Sequence, residues 1–411
     1  MQSPSIINAI AEDYVKLSLA IGQHCPNYVD AYYGPSQWQQ QARKIPLAQL
    51  QTQAQQLINQ AKAIIEFTDN EQAQRLNFLL IHLKASAVYI EMLLGNTLDF
   101  YSECEALYDA KPPKYDEQHF DKILASLDAL VPGEGNLATR FTQYRESFVI
   151  KKEKLNDVFE AAIAEARKRT LKHITLPEHE NFNVELVDNQ VWTAYNWFKG
   201  NSYSLIQLNT DIDIYIERAI DLAAHEGYPG HHVFNALIEK HMVNERNWVE
   251  YSIYNLFGPT SLLAEGSANY GIEVAFPWQE RMAFERDVLF PIAGIDPGLS
   301  EVYYQVLKVT AQLAYADNMV AQRYCDNEID DEQAIALLMK YSLCTQARAK
   351  QRLSFYRQNR SYVITYNFGQ DLVHEYLAKK LKEIPSSTLW QEFSQLLAKP
   401  QTASMMQDFL Q

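Results

Sequence analysis

The sequence predicts a mainly helical protein, and three observations carry the prediction. Gly and Pro are scarce, 14 and 15 in 411 residues, so few punctuation points interrupt the chain. Apolar residues recur at helical spacing through long stretches in both halves. β-branched and aromatic residues gather at one place, about residues 182–209. The expected architecture is two helical lobes sharing a cleft, residues 1–175 and 176–411. A small antiparallel β element at about 182–209 stands just before the central helix of the second lobe.

The elements follow in order. Residues 3–22 carry apolar positions at helical spacing. Residues 36–66, rich in Gln and Ala, read as helix on both sides of Pro46. Residues 70–95 form a strong helix ending at Gly95, a natural terminator. Helices at 115–130 and 137–172 follow, the second charged and long. Trp192–Phe198 and Tyr203–Asn209 flank a turn at Lys199-Gly200-Asn201-Ser202 and read as a hairpin. Helical pattern resumes near Asp213, with Thr210 as a capping candidate and Ile216, Ala219, Ile220 and Ala223 as an apolar stripe. Further helices are expected at 259–275, 300–324, 330–341, 344–358, 366–382 and 387–398.

Composition excludes several classes of function. The balance of 36 basic and 51 acidic residues gives −15, which disfavours nucleic acid and anionic membranes as partners. No stretch of 18 or more apolar residues occurs, so no bilayer-spanning helix is expected. The start, MQSPSIINAIAEDYVKL, lacks a basic segment followed by an apolar run, so a cytoplasmic location is expected. Cys25, Cys104, Cys325 and Cys344 lie far apart without a CxxC pair, which argues against disulfides and cysteine-held zinc.

The chemistry concentrates in His225-Glu226-Gly227-Tyr228-Pro229-Gly230-His231-His232, where three of the ten histidines fall within eight residues. A hydrolytic metal site needs neutral imidazole ligands, a further ligand, an open position and a nearby base. In the HExxH motif the histidines are four apart on one helix face. Here the spacings are six and seven, and an undistorted helix separates residues seven apart by ~10.5 Å. Two nitrogens on one zinc lie within ~4 Å of each other. The helix must therefore break or bulge, and Pro229 with Gly227 and Gly230 supplies the means. His231 is the expected second ligand, with His232 its rival; as a non-ligand, His232 would hydrogen-bond substrate or the surrounding shell. Glu265, in the apolar, small-residue segment PTSLLAEGSANYGIEVAF, is the expected third ligand. Glu273, two turns on, reads as a solvated charge.

These motifs resemble the DUF885 family of zinc-dependent peptidases, which are related to gluzincin-type metallopeptidases. The resemblance covers roughly residues 180–380 and, more loosely, the helical N-terminal half. HEGYPGHH carries most of it. In EGSANYGIE, the residues Glu265, Gly266, Ala268 and Tyr270 match the family form EGWALYAE, whereas Ser267 and Asn269 replace large apolar residues and Ile272 replaces the later acid. ITYNFGQDLVHEYL resembles the family's LSYKIGxL stretch at Tyr366 and Gly369. The family's Pro-Gly-Gln run and Asp-x-Gly-x-His segment have no counterpart, a departure that concerns substrate preference.

The resulting expectation is a zinc metallopeptidase acting on short peptides. His225, His231 and Glu265 hold one Zn2+, Glu226 is the general base, and Tyr366 supports the oxyanion. Tyr203–Asn209 is the expected strand for pairing with peptide substrate. Arg348, Arg352, Arg357 and Arg360 are candidates for clamping a C-terminal carboxylate, which would make the enzyme a carboxypeptidase. Two other readings compete. Two histidines and a carboxylate also describe non-haem iron oxygenases, although those usually sit on β-barrels. A non-catalytic helical protein binding metal or peptide is the third.

Overall fold

Helices make up most of the structure, a computed structural model that describes residues 3–66, 68, 70–190 and 192–410. Ser3–Gly22, Leu47–Ile65 and Asn70–Leu93 pack together in the N-terminal half, and Pro46 stands just outside the start of the second. Gly95 closes the third helix at φ +101°, the left-handed region that its lack of a side chain permits. Glu71–Leu93 is long and apolar enough to cross a membrane by length and composition, but 61% of that window is buried inside the protein. The stretch expected as one helix at 137–172 is two, Leu137–Glu146 and Leu155–Leu171. Between them Val149 bridges to Tyr215, with Phe148 and Ile150 buried on either side. The buried apolar residues form one cluster that reaches from Ile7 to Met406.

Among the described residues five strands interrupt the helices: β1 (Val29–Tyr32), β2 (Asn181–Val187), β3 (Ala194–Phe198), β4 (Tyr203–Asn209) and β5 (Ile253–Asn255). β3 and β4 form the expected antiparallel hairpin. Its turn places Gly200, Asn201 and Ser202 at positive φ. Buried Glu239 holds that turn by accepting the Asn201 and Ser202 amides, each at 2.7 Å. β2 adds to the other edge of β4, parallel to it, because the hairpin already occupies the first edge. β4 is therefore the central strand, paired on both sides. β1 and β5, which the sequence pattern did not reveal, form a separate two-stranded ribbon across a gap of more than 200 residues. Asn255 ties it to the first helix through Tyr14 and Ser18.

Beyond β4 the next helix starts at Glu217, later than the pattern suggested. Thr210 caps nothing, since its hydroxyl donates to Val187 O instead. The stripe of Ile216, Ala219, Ile220 and Ala223 is buried as expected.

Candidate metal centre

The helix carrying His225 changes pitch before it breaks. After the α-helical segment Glu217–Leu222, residues Ala223–Gly227 form a π-helical turn. Tyr228 N–H reaches back to Ala223 O at 3.0 Å, and Gly230 N–H to Ala224 O at 2.8 Å. The Tyr228–Pro229 peptide is cis, and helix resumes at His231–Ile238. Gly230 is obligatory here, because a Cβ would lie 1.9 Å from His225 O. Six residues of regular helix would separate the histidines by ~9 Å along the axis. This excursion brings their Nε2 atoms to 3.1 Å.

Glu265 comes from the helix Thr260–Ala275 and is 7% exposed. Its Oε2 lies 3.2 Å from His225 Nε2 and 3.5 Å from His231 Nε2, yet accepts no hydrogen bond. The three atoms thus form a triangle with sides of 3.1, 3.2 and 3.5 Å. Tetrahedral ligands ~2.05 Å from a zinc are separated by ~3.3 Å. A buried carboxylate oxygen facing two imidazoles at that spacing fits a metal, and without one it fits an ion pair with a protonated His231. Glu226 also comes close, with a ligand atom within 4.8 Å of those of His225 and His231. Glu265 is the better third ligand, because its oxygen is in direct van der Waals contact with both nitrogens.

The electrostatics point the same way. Burial alone would raise the pKa of Glu265, but His231 and His225 override it and hold the carboxyl well below its usual range. Burial would lower His231, but Glu265 above all, then Glu226 and Asp30, push it up to about 9. The pocket is therefore strongly attractive to a cation, and a metal ion would take the place of that proton.

Neighbouring groups orient both kinds of ligand. Tyr362 OH donates to Glu265 Oε1 at 2.8 Å, which leaves Oε2 to face the histidines. Asn269 Nδ2 donates to Tyr366 O at 2.9 Å, so its Oδ1 must face His225 Nδ1, also at 2.9 Å. His225 Nδ1 is then the protonated nitrogen, and the Nε2 lone pair is free for a metal. Sequence reading passed over both residues. Asn269 stood out only as a departure from the family pattern, and Tyr362 carried no signal of its own. Their helices are held at contact distance by Gly266 and Gly369, where a Cβ on Gly266 would lie 2.3 Å from the Gly369 backbone.

His232 is not brought to this cluster. It is 0% exposed, its Nε2–H donates to Glu180 Oε2 at 3.0 Å, and its Nδ1 accepts from Ser204 at 2.9 Å. Both nitrogens are spent, so neither ligation nor a hydrogen bond to substrate fits it. Adjacent helical residues point ~100° apart, and with His231 on the metal side His232 faces the sheet. There Glu180 also accepts from Tyr228 and Arg167. Glu273 is exposed and bonded to Gln370, as a solvated charge should be. Glu226 is buried, and its main-chain carbonyl accepts from Asn196 Nδ2 on β3 at 2.6 Å. The Tyr366 ring meets that of Tyr362 at 5.7 Å. Burial, then the charge of Glu265, raises Tyr366 well above the usual phenol range and keeps it a donor.

Two expectations about substrate contacts change. Tyr203–Asn209 cannot pair with a peptide, because both its edges are occupied; β3 is the edge strand beside the metal helix. Three of the four arginines are neutralised, Arg352 by Asp317, Arg357 by Asp331 and Arg360 by Glu103. Broad surface hollows around Asp326 and Glu328 share no residue with the cluster.

No family model matches the chain, and no curated protein matches it. Among solved structures, the chain is similar to one described as "the putative lipoprotein from Colwellia psychrerythraea". The identity is 15% and the TM-score 0.56, over 89% of this chain and 69% of that one. A second, described as "a putative lipoprotein of unknown function from Shewanella oneidensis", is 13% identical with a TM-score of 0.51, over 89% and 73%. At such identities the likeness speaks for the fold alone.

Proposed function

We propose that this chain is a zinc-dependent metallopeptidase acting on short peptides, of the kind its DUF885-like motifs imply. The observation that carries the reading is the triangle of His225, His231 and Glu265 around an orphaned carboxylate oxygen, with Glu226 beside it. Two imidazoles and one carboxylate suit zinc and leave a position open. Zinc held there would polarise the scissile carbonyl and acidify a water molecule. Glu226 takes the proton of the attacking water and hands it to the leaving amine. Tyr366 donates to the developing oxyanion, and its raised pKa keeps the proton in place for that task. Asn269 and Tyr362 hold His225 and Glu265 in register.

The experiment is metal analysis joined to peptide turnover. The purified protein should hold one zinc per chain and cleave short peptides. Glu226→Gln should keep zinc and fold while losing at least ~10²–10⁴-fold in kcat. Bound zinc without turnover of any peptide library would sink the peptidase reading, and iron in place of zinc would favour oxygenase chemistry. A cytoplasmic location belongs to the same proposal. The neighbours described as lipoproteins point instead to the cell envelope, and fractionation of the native host decides between them.

A further inference from the structure

Two charged side chains from other elements, Arg348 and Asp30, meet residues on one face of β3, and they carry opposite signs. The β3–β4 ladder extends to Thr193, whose carbonyl accepts the Asn209 amide. Thr193 and Tyr195 therefore share a face, ~6.8 Å apart, opposite the face on which Asn196 reaches Glu226. Arg348 lies at Thr193, with Nη2 3.5 Å from its hydroxyl and Nη1 2.5 Å from Gln351 Oε1. Among the described residues no carboxylate comes within ion-pair distance of it, unlike Arg352, Arg357 and Arg360. Arg348 is half-buried; burial, then Arg352 and Arg218, disfavour its charge, so the spot has positive charge to spare.

Tyr195 OH donates to Asp30 Oδ1. Asp30 is the extra residue of a β-bulge, lying between Val29 paired to Asn255 and Ala31 paired to Tyr254. Bulges of this kind re-aim a side chain. Here the bulge turns a carboxylate inward, where burial above all, then the charges of Glu265 and Glu226, raise it to about 6 against the pull of the Tyr195 hydroxyl and His231. Among the described residues Asp30 has no cationic side chain within ion-pair distance. The buried hydroxyl of Tyr254, its neighbour across the ribbon, has no partner. The negative anchor thus lies close to the metal cluster and the positive anchor farther along β3.

We propose that the site takes a short peptide with both ends free, its ammonium held by Asp30 and its C-terminal carboxylate by Arg348. The inference rests on the peptidase reading and names its substrate class. An extended peptide spans ~3.3–3.6 Å per residue, so the ~6.8 Å between the two strand positions corresponds to about two residues. The order of the anchors puts the scissile bond near the amino end. A guanidinium recognises a carboxylate in two-pronged fashion, and a carboxylate answers an ammonium.

The test compares Ala-based di-, tri- and tetrapeptides with their N-acetylated and C-amidated forms. With the zinc-loaded wild type, each block should lower kcat/KM at least tenfold, mainly through KM. Asp30→Asn should lose as much on free peptides and be indifferent to acetylation, and Arg348→Gln should be indifferent to amidation. Calorimetric binding of the same peptides to Glu226→Gln should follow the same pattern without turnover. Equal hydrolysis of free and doubly blocked peptides, or sensitivity at one end only, would overturn the proposal. The wild-type series decides this even where a variant fails to fold. Absence of turnover on every peptide would strike the peptidase reading instead, and the calorimetry keeps that failure distinct.

Discussion

Asn269 gives the sharpest check on the proposed metal centre, because its contribution follows from one hydrogen bond. His225 Nδ1–H donates to Asn269 Oδ1 at 2.9 Å. A hydrogen bond between neutral groups is worth ~1 kcal/mol; once the imidazole shares the charge of a bound cation, the bond rises to ~1.5–3 kcal/mol. The difference, ~0.5–2 kcal/mol, is the part that appears in metal affinity. Asn269→Leu, which introduces the apolar residue of the DUF885 pattern, should therefore weaken zinc ~2–30-fold, overlapping the lower part of the ~10–100-fold range seen for such outer partners. Competition against a chromogenic chelator measures it, with circular dichroism to show that the fold is kept. Asn269→Asp retains an acceptor for Nδ1–H and should bind zinc better than the leucine variant. A folded leucine variant holding zinc as tightly as wild type would refute the tautomer assignment and, with it, the proposed role of Asn269.

Three further outcomes are expected. His231→Ala should cost more zinc affinity than any outer-shell change, whereas His232→Ala should spare zinc and lower stability by ~1–3 kcal/mol, since Glu180 loses a buried partner; the reverse ranking in chelator titrations and melts would exchange the two. Gly266→Ala should destabilise by ~1–3 kcal/mol or more by prising two helices apart, read as a lower melting temperature together with weaker zinc binding, and an unchanged melt would refute the close contact. His82 is buried between Phe78 O and Thr260 Oγ1, and burial pushes its pKa down to about 4. The unfolded chain takes up a proton near pH 6.5 that the folded one refuses. Stability from this group is thus complete above that pH and is lost on acidification, by ~2 kcal/mol at pH 5. In urea titrations the unfolding free energy lost between pH 7 and pH 5 should be larger for wild type than for His82→Gln by that amount.

The sequence made the helices legible wherever periodicity was long, as at Ser3–Gly22 and Asn70–Leu93, and it made the β3–β4 hairpin legible through its Gly200-Asn201 turn. It also marked His225, His231 and Glu265 and required a break at Pro229. What escaped depends on distant pairing. Four-residue β1 exists only because β5 meets it, and nothing local distinguishes it from loop. The parallel placement of β2 is decided by which edge of β4 is left over. Tyr362 and Asp30 reach the site through a helix crossing and a bulge, neither of which leaves a short-range pattern. His232 misled because adjacent positions on a helix look equivalent in sequence yet face different neighbours.

The excursion at residues 228–230 has a consequence for how such centres are found. Strike Tyr228 and Pro229 from the sequence and what remains is His225-Glu226-Gly227-Gly230-His231, the HExxH spacing. The two extra residues sit outside the helical path and leave the distance between ligand nitrogens untouched, and one of them, Tyr228, has been recruited to bond Glu180. A text search for histidines four apart passes over this chain, whereas a search for three ligand atoms ~3.3 Å apart finds it at once. The conserved quantity of a metal centre of this kind is a set of distances in space, and the letter count between its ligands is free to drift.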